Sequence, residues 1–361
     1  MSATADRGAG AVRVTTLELF FDLVFVFTIT QLTTVLVHEP TGEGLLRVVL
    51  MLGVIWWMYG GYAWLTNAVA PDRGQRRLTL LGGMAAFLVL ALSIPDAFGE
   101  SGAAFGIAYV VVVLVHAGLF TRAGTAILRI APRNLAAAVL LLAGGIAGGT
   151  AQYPIWGVAF LLLWGPALGG GPRGFAIAPG HFVERHGLVV IVAIGESVVA
   201  IGIGAEGLDV DLGLVAVALL GLALSAGLWW AYFGGDDERA EAAMDAAPES
   251  ERGRLALWAF GCWHLPMLLG IVAIASGIKV AIGHPGDALE AGRALALGGG
   301  TALFLCGEAG FRRTLAIGRG AVRLVAGAAA LATVPLGTAL SATWQLAGVV
   351  VVLIGALAVE R

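Results

Sequence analysis

The stretch "VERHGLVVIVAIGESVVAIG", residues 183–202, decides how this chain is read. A bilayer's hydrocarbon core is roughly 30 Å thick and takes about 20 apolar residues as α-helix, and this run has that length. Its apolar residues are continuous rather than alternating, which favours a helix over a half-buried strand. Yet Glu196 stands in its interior, and Glu184, Arg185 and His186 stand at its start. Alanine would serve a helix that only had to be apolar, so the carboxyl needs a reason.

The rest of the chain fixes the solvent in which that carboxyl sits. The 361 residues are 59% hydrophobic and 12% charged, against roughly 45–50% and about 25% in soluble domains; the mean hydropathy is +0.90. Such a chain has the lipid bilayer as its partner. Only helices and closed barrels satisfy every backbone group there, and the long apolar runs choose helices. Twelve are expected, near 17–37, 45–69, 78–98, 103–121, 134–150, 154–170, 183–204, 212–233, 255–280, 291–311, 321–337 and 341–359. The fifth, sixth and eleventh are short and glycine-rich. In "LAGGIAGGTA", Gly144/Gly148 and Gly145/Gly149 form small-xxx-small spacings that let helices approach closely.

Several classes of function are excluded. A net charge of −3 argues against a nucleic-acid partner. Cys262 and Cys306 both lie inside apolar runs, so no disulfide framework is expected. The chain has no His-Glu-x-x-His, Walker-type loop or Gly-x-Ser-x-Gly elbow. Its histidines and cysteines are too few and scattered for a metal site. We therefore expect no cofactor, no metal and no enzymatic activity. Residues 1–16 lack the apolar stretch and small-residue cleavage site of a signal peptide, and read as an uncleaved tail.

Arginine-rich loops at 71–77, 122–133 and 312–323 alternate with acidic or neutral ones at 38–44, 96–101 and 205–211. The positive-inside rule then puts both termini in the cytoplasm. The acidic loop 234–254 also falls inside; acids count little in the rule, and it carries three arginines. The expected fold is an all-α polytopic membrane protein of two parallel six-helix repeats. Residues 17–170 form the first, 171–182 a cytoplasmic linker and 183–361 the second. "WWMY" (56–59) answers "WWAY" (229–232), and "HAGLFTR" (116–122) answers "EAGFRRT" (308–314). "DLVFVFTITQ" (22–31) aligns without gaps to "GLVVIVAIGE" (187–196), setting Gln31 opposite Glu196. Six helices per unit is even, so the copies share an orientation and are related by an axis along the membrane normal.

The stretches "TTLELFFDLVFVFTITQL" (15–32), "HFVERHGLVVIVAIGESVVAIG" (181–202) and "WHLPMLLGIV" (263–272) resemble the bacterial low temperature requirement A family. The similarity runs from about residue 12 to the end. It implies an integral membrane protein linked to growth in the cold, and supplies no catalytic or binding residues to carry over. A looser, architectural likeness is to the lysosomal potassium-channel family, with its Arg-xxx-Phe-Ser-Asp motif in the first helix. Here Phe20-Phe21-Asp22 has Phe in place of Ser, Thr16 stands at the Arg position, and Gly187 replaces the Asp that would recur.

Ionisable groups inside spans are costly and default to functional candidates. Glu196 lies about 13 residues, roughly 20 Å, from the start of its helix, too far to snorkel. It either binds a proton or cation, or serves as neutral interhelical glue; Ser197 adjoins it. Gln31 shares a face with Thr28 and Thr34, lining a polar cavity or back-bonding to its own helix. Glu18 and Asp22, four apart, either admit a cation or proton or are placed at a helix N-terminus for its dipole. His264, two residues before Pro266, is a packing histidine or a proton-relay member. Glu184, Arg185 and His186 read as interfacial capping and pairing. His116 and Glu308 are repeat equivalents, with Arg312 one turn beyond Glu308 for a local ion pair. Trp56, Trp57, Trp229 and Trp230 read as interfacial belts or packing.

Together these residues point to a small-cation or proton-coupled transporter or channel working through buried carboxyls. Two alternatives stand beside it. A non-transporting membrane sensor or scaffold for cold or envelope stress would use the polar groups as glue. An intramembrane lipid-modifying enzyme would need a nucleophile near His264.

Overall fold

A computed structural model describes residues 14–68, 74–121, 126–166 and 177–360. Most of the tail 1–16, Arg122, much of the linker and the end of the sixth expected span lie outside the described residues.

Every regular element among those residues is helical. They are α1 (Thr16–His38), α2 (Gly42–Ala68), α3 (Gly74–Ser93), α4 (Gly102–Phe120), α5 (Ala131–Ala147), α6 (Gly149–Trp164), α7 (Pro179–Gly204) and α8 (Leu212–Phe233). There follow α9 (Asp236–Ala246), α10 (Glu249–Ala256), α11 (His264–Gly283), α12 (Ala291–Leu315), α13 (Ala321–Leu331), α14 (Val334–Ala339) and α15 (Ala342–Val359). Among the described residues, ten segments are long and apolar enough to cross a bilayer, where twelve spans are expected. α5 and α6 have 17 and 16 residues, about 25 Å at 1.5 Å per residue, short of the hydrocarbon thickness.

Helix ends follow local chemistry. Thr15 and Glu18 form a capping box at α1, and Asp211 and Ser341 cap α8 and α15 through the backbone N–H groups of Leu214 and Trp344. α5 stops where Gly148 and Gly149 take positive φ of 63° and 56°. These two glycines make the turn into α6 rather than a packing face. Their partners in the spacing do pack: a Cβ on Gly145 would stand 2.1 Å from the carbonyl oxygen of Gly102 on α4.

The ninth expected span, 255–280, is divided. α10 ends at Ala256, a π-helical turn covers Leu257–Cys262, and α11 begins at His264. Pro266 has no N–H to give the carbonyl of Cys262, and just before it Trp263 N–H reaches five residues back to Trp258 O at 3.0 Å. The eleventh is divided too, at Ala332 and Thr333 between α13 and α14.

In the first half α1 packs on α2 and α3, α3 on α4, α4 on α5, α5 on α6, and α6 returns to α2. In the second, α7 packs on α8 and α11, α11 on α12, α12 on α13, α13 on α15, and α15 returns to α8. The halves meet where α1 lies on α7 and α11, and α2 on the same two helices. The starts of α1, α7 and α11 share one end of the bundle with the ends of α2, α8, α12 and α15; we call it the proximal end.

Candidate functional site

α1 and α7 run side by side in the same direction, and polar contacts join them at three levels. At the proximal end His181 Nε2 lies 3.2 Å from Glu18 Oε1 and 3.4 Å from Oε2. One turn deeper, Arg185 Nη2 is 3.1 Å from Asp22 Oδ1. Far along the seam, Thr30 Oγ1 donates to Glu196 Oε2 at 2.5 Å. At about 100° per residue, His181, Arg185 and Glu196 fall within roughly 60° on α7, and Glu18, Asp22 and Thr30 within roughly 120° on α1. These are two facing stripes. All of these side chains except Thr30 are buried, Asp22 at 0% and Arg185 at 1% exposure.

Each buried charge has company. Glu18 Oε2 accepts from the backbone N–H and the hydroxyl of Thr15, at 2.9 and 2.8 Å. Asp22 Oδ1 also accepts from Tyr59 OH of α2 at 2.7 Å. Its Oδ2 is buried with no hydrogen-bond partner, as are Nε and Nη1 of Arg185. The Arg185 guanidinium lies over the rings of Phe21 and Tyr59, 5.7 and 5.8 Å from their centroids, a contact that favours a desolvated cation. Asn67 of α2 clamps the start of α7: its Oδ1 accepts from Ala178 N–H at 2.9 Å, and its Nδ2 donates to Ala178 O at 3.0 Å. That amide also donates to His181 Nδ1 at 3.2 Å, so the imidazole proton is on Nε2, towards Glu18. Near the other end of the seam, Glu196 feels the ammonium charge of Lys279 on α11, the chain's single lysine.

The remaining candidates lie around this seam. Gln31 is about 100° round α1 from Thr30; Thr30, not Gln31, meets Glu196, although the two candidates are at adjacent levels. Thr28 and Ser197 are fully buried, and their hydroxyls have no hydrogen-bond partner among the described residues. The trio at 184–186 divides. Glu184 is exposed and accepts from Val14 N–H at 3.3 Å, whereas Arg185 and His186 turn inward at 1% exposure each. Neighbouring residues on a helix differ by about 100°, so the three could not share one interface.

His186 and His264 meet in an aromatic cluster behind the seam, their ring centroids 5.7 Å apart. Both donate through Nδ1 to backbone carbonyls, His186 to Phe182 O at 2.8 Å and His264 to Ala259 O at 2.9 Å. His264 Nε2 is then left to accept from Tyr232 OH at 2.9 Å. The π-helical turn supplies the Ala259 carbonyl and also Gly261 O, which takes the Trp56 indole N–H at 2.9 Å. Trp56 is thus core, at 1% exposure, while Trp229 and Trp230 are 39% and 48% exposed.

His116 packs on Gly61 and Tyr62, away from both groups. Glu308 is not paired with Arg312 as expected. It bonds Arg323 of α13, which also holds Glu360 at 2.7 Å. Arg312 instead reaches Asp236 at 2.5 Å and Glu360 at 2.8 Å. A pair one turn apart on a helix gains only about 0.2–0.5 kcal/mol, and the tertiary partners of a buried network outweigh it. Sequence reading missed His181, Tyr59 and Thr30. His181 and Thr30 could have been found from their spacing of four and eight residues from Arg185 and Asp22.

Fold and seam together define a multi-pass helical membrane protein with an ionisable interface between helices. The chain belongs to the family described as Bacterial low temperature requirement A protein (LtrA), which it matches over residues 13–358. A Rhizobium meliloti (strain 1021) protein named only as uncharacterized is 30% identical over 315 residues, covering 82% of this chain and 76% of its own.

Proposed function

We propose that this protein moves a proton or a small monovalent cation across the bacterial cytoplasmic membrane along the seam between α1 and α7. One observation carries the reading: ionisable groups face each other at two levels of a single helix pair and a third buried carboxyl, Glu196, meets a hydroxyl farther along the same seam, where each charge is costly to keep. Interhelical glue would need one such level. We propose no enzymatic role.

We further propose that the seam is the meeting of two parallel six-helix units, 17–170 and 183–361, twelve spans in all, with both termini cytoplasmic. Two features support the duplication. The order in which helices neighbour one another recurs between the halves. The seam contacts join residues 163 and 166 apart, bracketing the offset of 165 in the gapless alignment of 22–31 with 187–196.

One observation favours the second reading, a non-transporting sensor or scaffold. Between the Asp22 and Thr30 levels stand Phe25 and Ile29 on α1 and Val189 and Ala193 on α7, all buried, so an apolar layer closes the seam in this conformation. Flux into proteoliposomes separates the two. Under a potential, wild-type protein should carry protons or monovalent cations, and Glu196→Gln should slow that flux at least tenfold while eluting as a folded species. Flux indistinguishable between the two would sink the role of Glu196; flux absent from both would favour the scaffold.

A further inference from the structure

The donor set along the seam narrows the transported species. A sodium or potassium ion that sheds its water needs several oxygen ligands at once, and carbonyl or carboxylate rings are the usual supply. Here the carboxylate oxygens are largely spoken for. Glu18 is shared among Thr15 N–H, Thr15 Oγ1 and His181 Nε2. Asp22 Oδ1 is taken by Tyr59 and Arg185, and Glu196 Oε2 by Thr30. What remains is a single carboxylate oxygen at each level: Glu18 Oε1 and Asp22 Oδ2, both buried without a hydrogen bond, the former facing the His181 imidazole at 3.2 Å, and Glu196 Oε1, to which no protein group donates among the described residues. The free carboxylate oxygens number one per level, and the unpartnered hydroxyls of Thr28 and Ser197 add too few to replace a metal ion's water, so the set suits a proton.

The fixed charges agree. Arg185, 1% exposed, puts a permanent positive charge beside Asp22, and Lys279 acts on Glu196 from α11. At close range in a low dielectric a fixed cation strongly repels an arriving metal ion. A proton escapes this penalty in one respect: it joins the carboxylate covalently and leaves a neutral acid beside the guanidinium. The groups that face Asp22 are Tyr59 from α2, Arg185 from α7 and Glu18 from its own helix; those that face Glu196 are Thr30 and Lys279.

We infer that the species carried is the proton, held in turn on Asp22 Oδ2 and Glu196 Oε1, and that Arg185 is the residue that excludes metal cations. This rests on the transport reading above and deepens it. In each loading step one O–H bond forms on the carboxylate and one breaks on the hydronium ion that delivers the proton, leaving water; no redox partner is needed. The two carboxyl levels are about 8 residues apart on α1 and about 11 on α7, roughly 12–16 Å along the seam. Phe25, Ile29, Val189 and Ala193 fill the interval, so a proton crosses it only when that layer admits water. Hydrated metal ions, larger and unable to hop, are stopped there as well as by Arg185.

The test uses the full chain in proteoliposomes, with a pH-sensitive dye inside and separate tracers for sodium and potassium. Wild type should acidify the lumen under an inside-negative potential, at a rate that changes less than twofold when choline replaces sodium outside. Asp22→Asn should lose at least tenfold of that rate. Arg185→Lys keeps the charge and should stay impermeable to metal ions; Arg185→Gln should gain sodium or potassium flux. Because Arg185→Gln risks misfolding, the wild-type selectivity measurement stands on its own. Sodium or potassium flux through wild type would overturn the inference and leave transport standing, whereas no flux of any ion would overturn both.

Discussion

Arg323 is 2% exposed, and a guanidinium so placed survives only in company. It keeps Glu308 of α12, Glu360 at the end of α15 and the Ala231 carbonyl of α8, joining three helices near the proximal end. Removing one member of a buried pair leaves the other bare, at about 3–5 kcal/mol. Arg323→Ala should therefore lower the melting temperature in detergent sharply, and an unchanged melt would show that water reaches Glu308 and Glu360. Glu360 lies just past the last span and gives the network a pH signature. Burial alone would raise its carboxyl, but the Arg323 and Arg312 guanidiniums outweigh that and hold it below the usual carboxylate range. A lowered folded value means the stabilisation is complete above the unfolded carboxylate's titration and fades as pH falls through the folded one. Thermal melts should thus be level near neutrality and drop at acid pH, and Glu360→Gln should flatten the acid limb. None of this was legible in the sequence. Glu308 and Arg312 looked like a helical pair because their spacing is visible, whereas Arg323 and Glu360 reach them only through the tertiary fold.

At the scale of the element, the apolar runs and their caps were readable, and the interruptions were not. α8 and α15 match the expected spans closely because Asp211 and Ser341 mark where hydrogen-bonding to water gives way to the helix. Pro266 marks a kink in the ninth run, but the π-helical turn between α10 and α11 was not visible, since the carbonyls released there are taken by His264 and Trp56, residues whose positions look like ordinary core. The same holds for close approach. Gly145 and Gly102 bring α4 and α5 together so tightly that an added methyl would meet backbone, which cannot rotate away. Gly145→Ala should cost about 1–3 kcal/mol through overpacking, read as a fall in melting temperature. Gly60→Ala, whose new methyl meets nothing within 4 Å, is the control and should melt no lower than wild type.

For the whole molecule, the alternation of basic and acidic loops makes a concrete expectation about sidedness. Reporter fusions at Ala205 and Gly286 should read outside, and those at Asp245 and Gly320 inside; reversal at two of the four sites would defeat the proposed orientation. The class of protein and the direction in which α1 and α7 meet could be anticipated from hydropathy and the matched stretches. Which side chains would meet could not, because a rotation of one residue separates Gln31 from Thr30. The placement of α11 has a mechanical consequence. It belongs by sequence to the second half, yet it lies against α1 and α2 as well as α7, α8 and α12, while its counterpart by order, α3, holds no such central post. Swinging the second half as one block would drag α11 across the first. Any moving parts would thus be unlike the proposed repeat units: the proposed duplication cuts the chain between α6 and α7, while mechanics would cut it around α11.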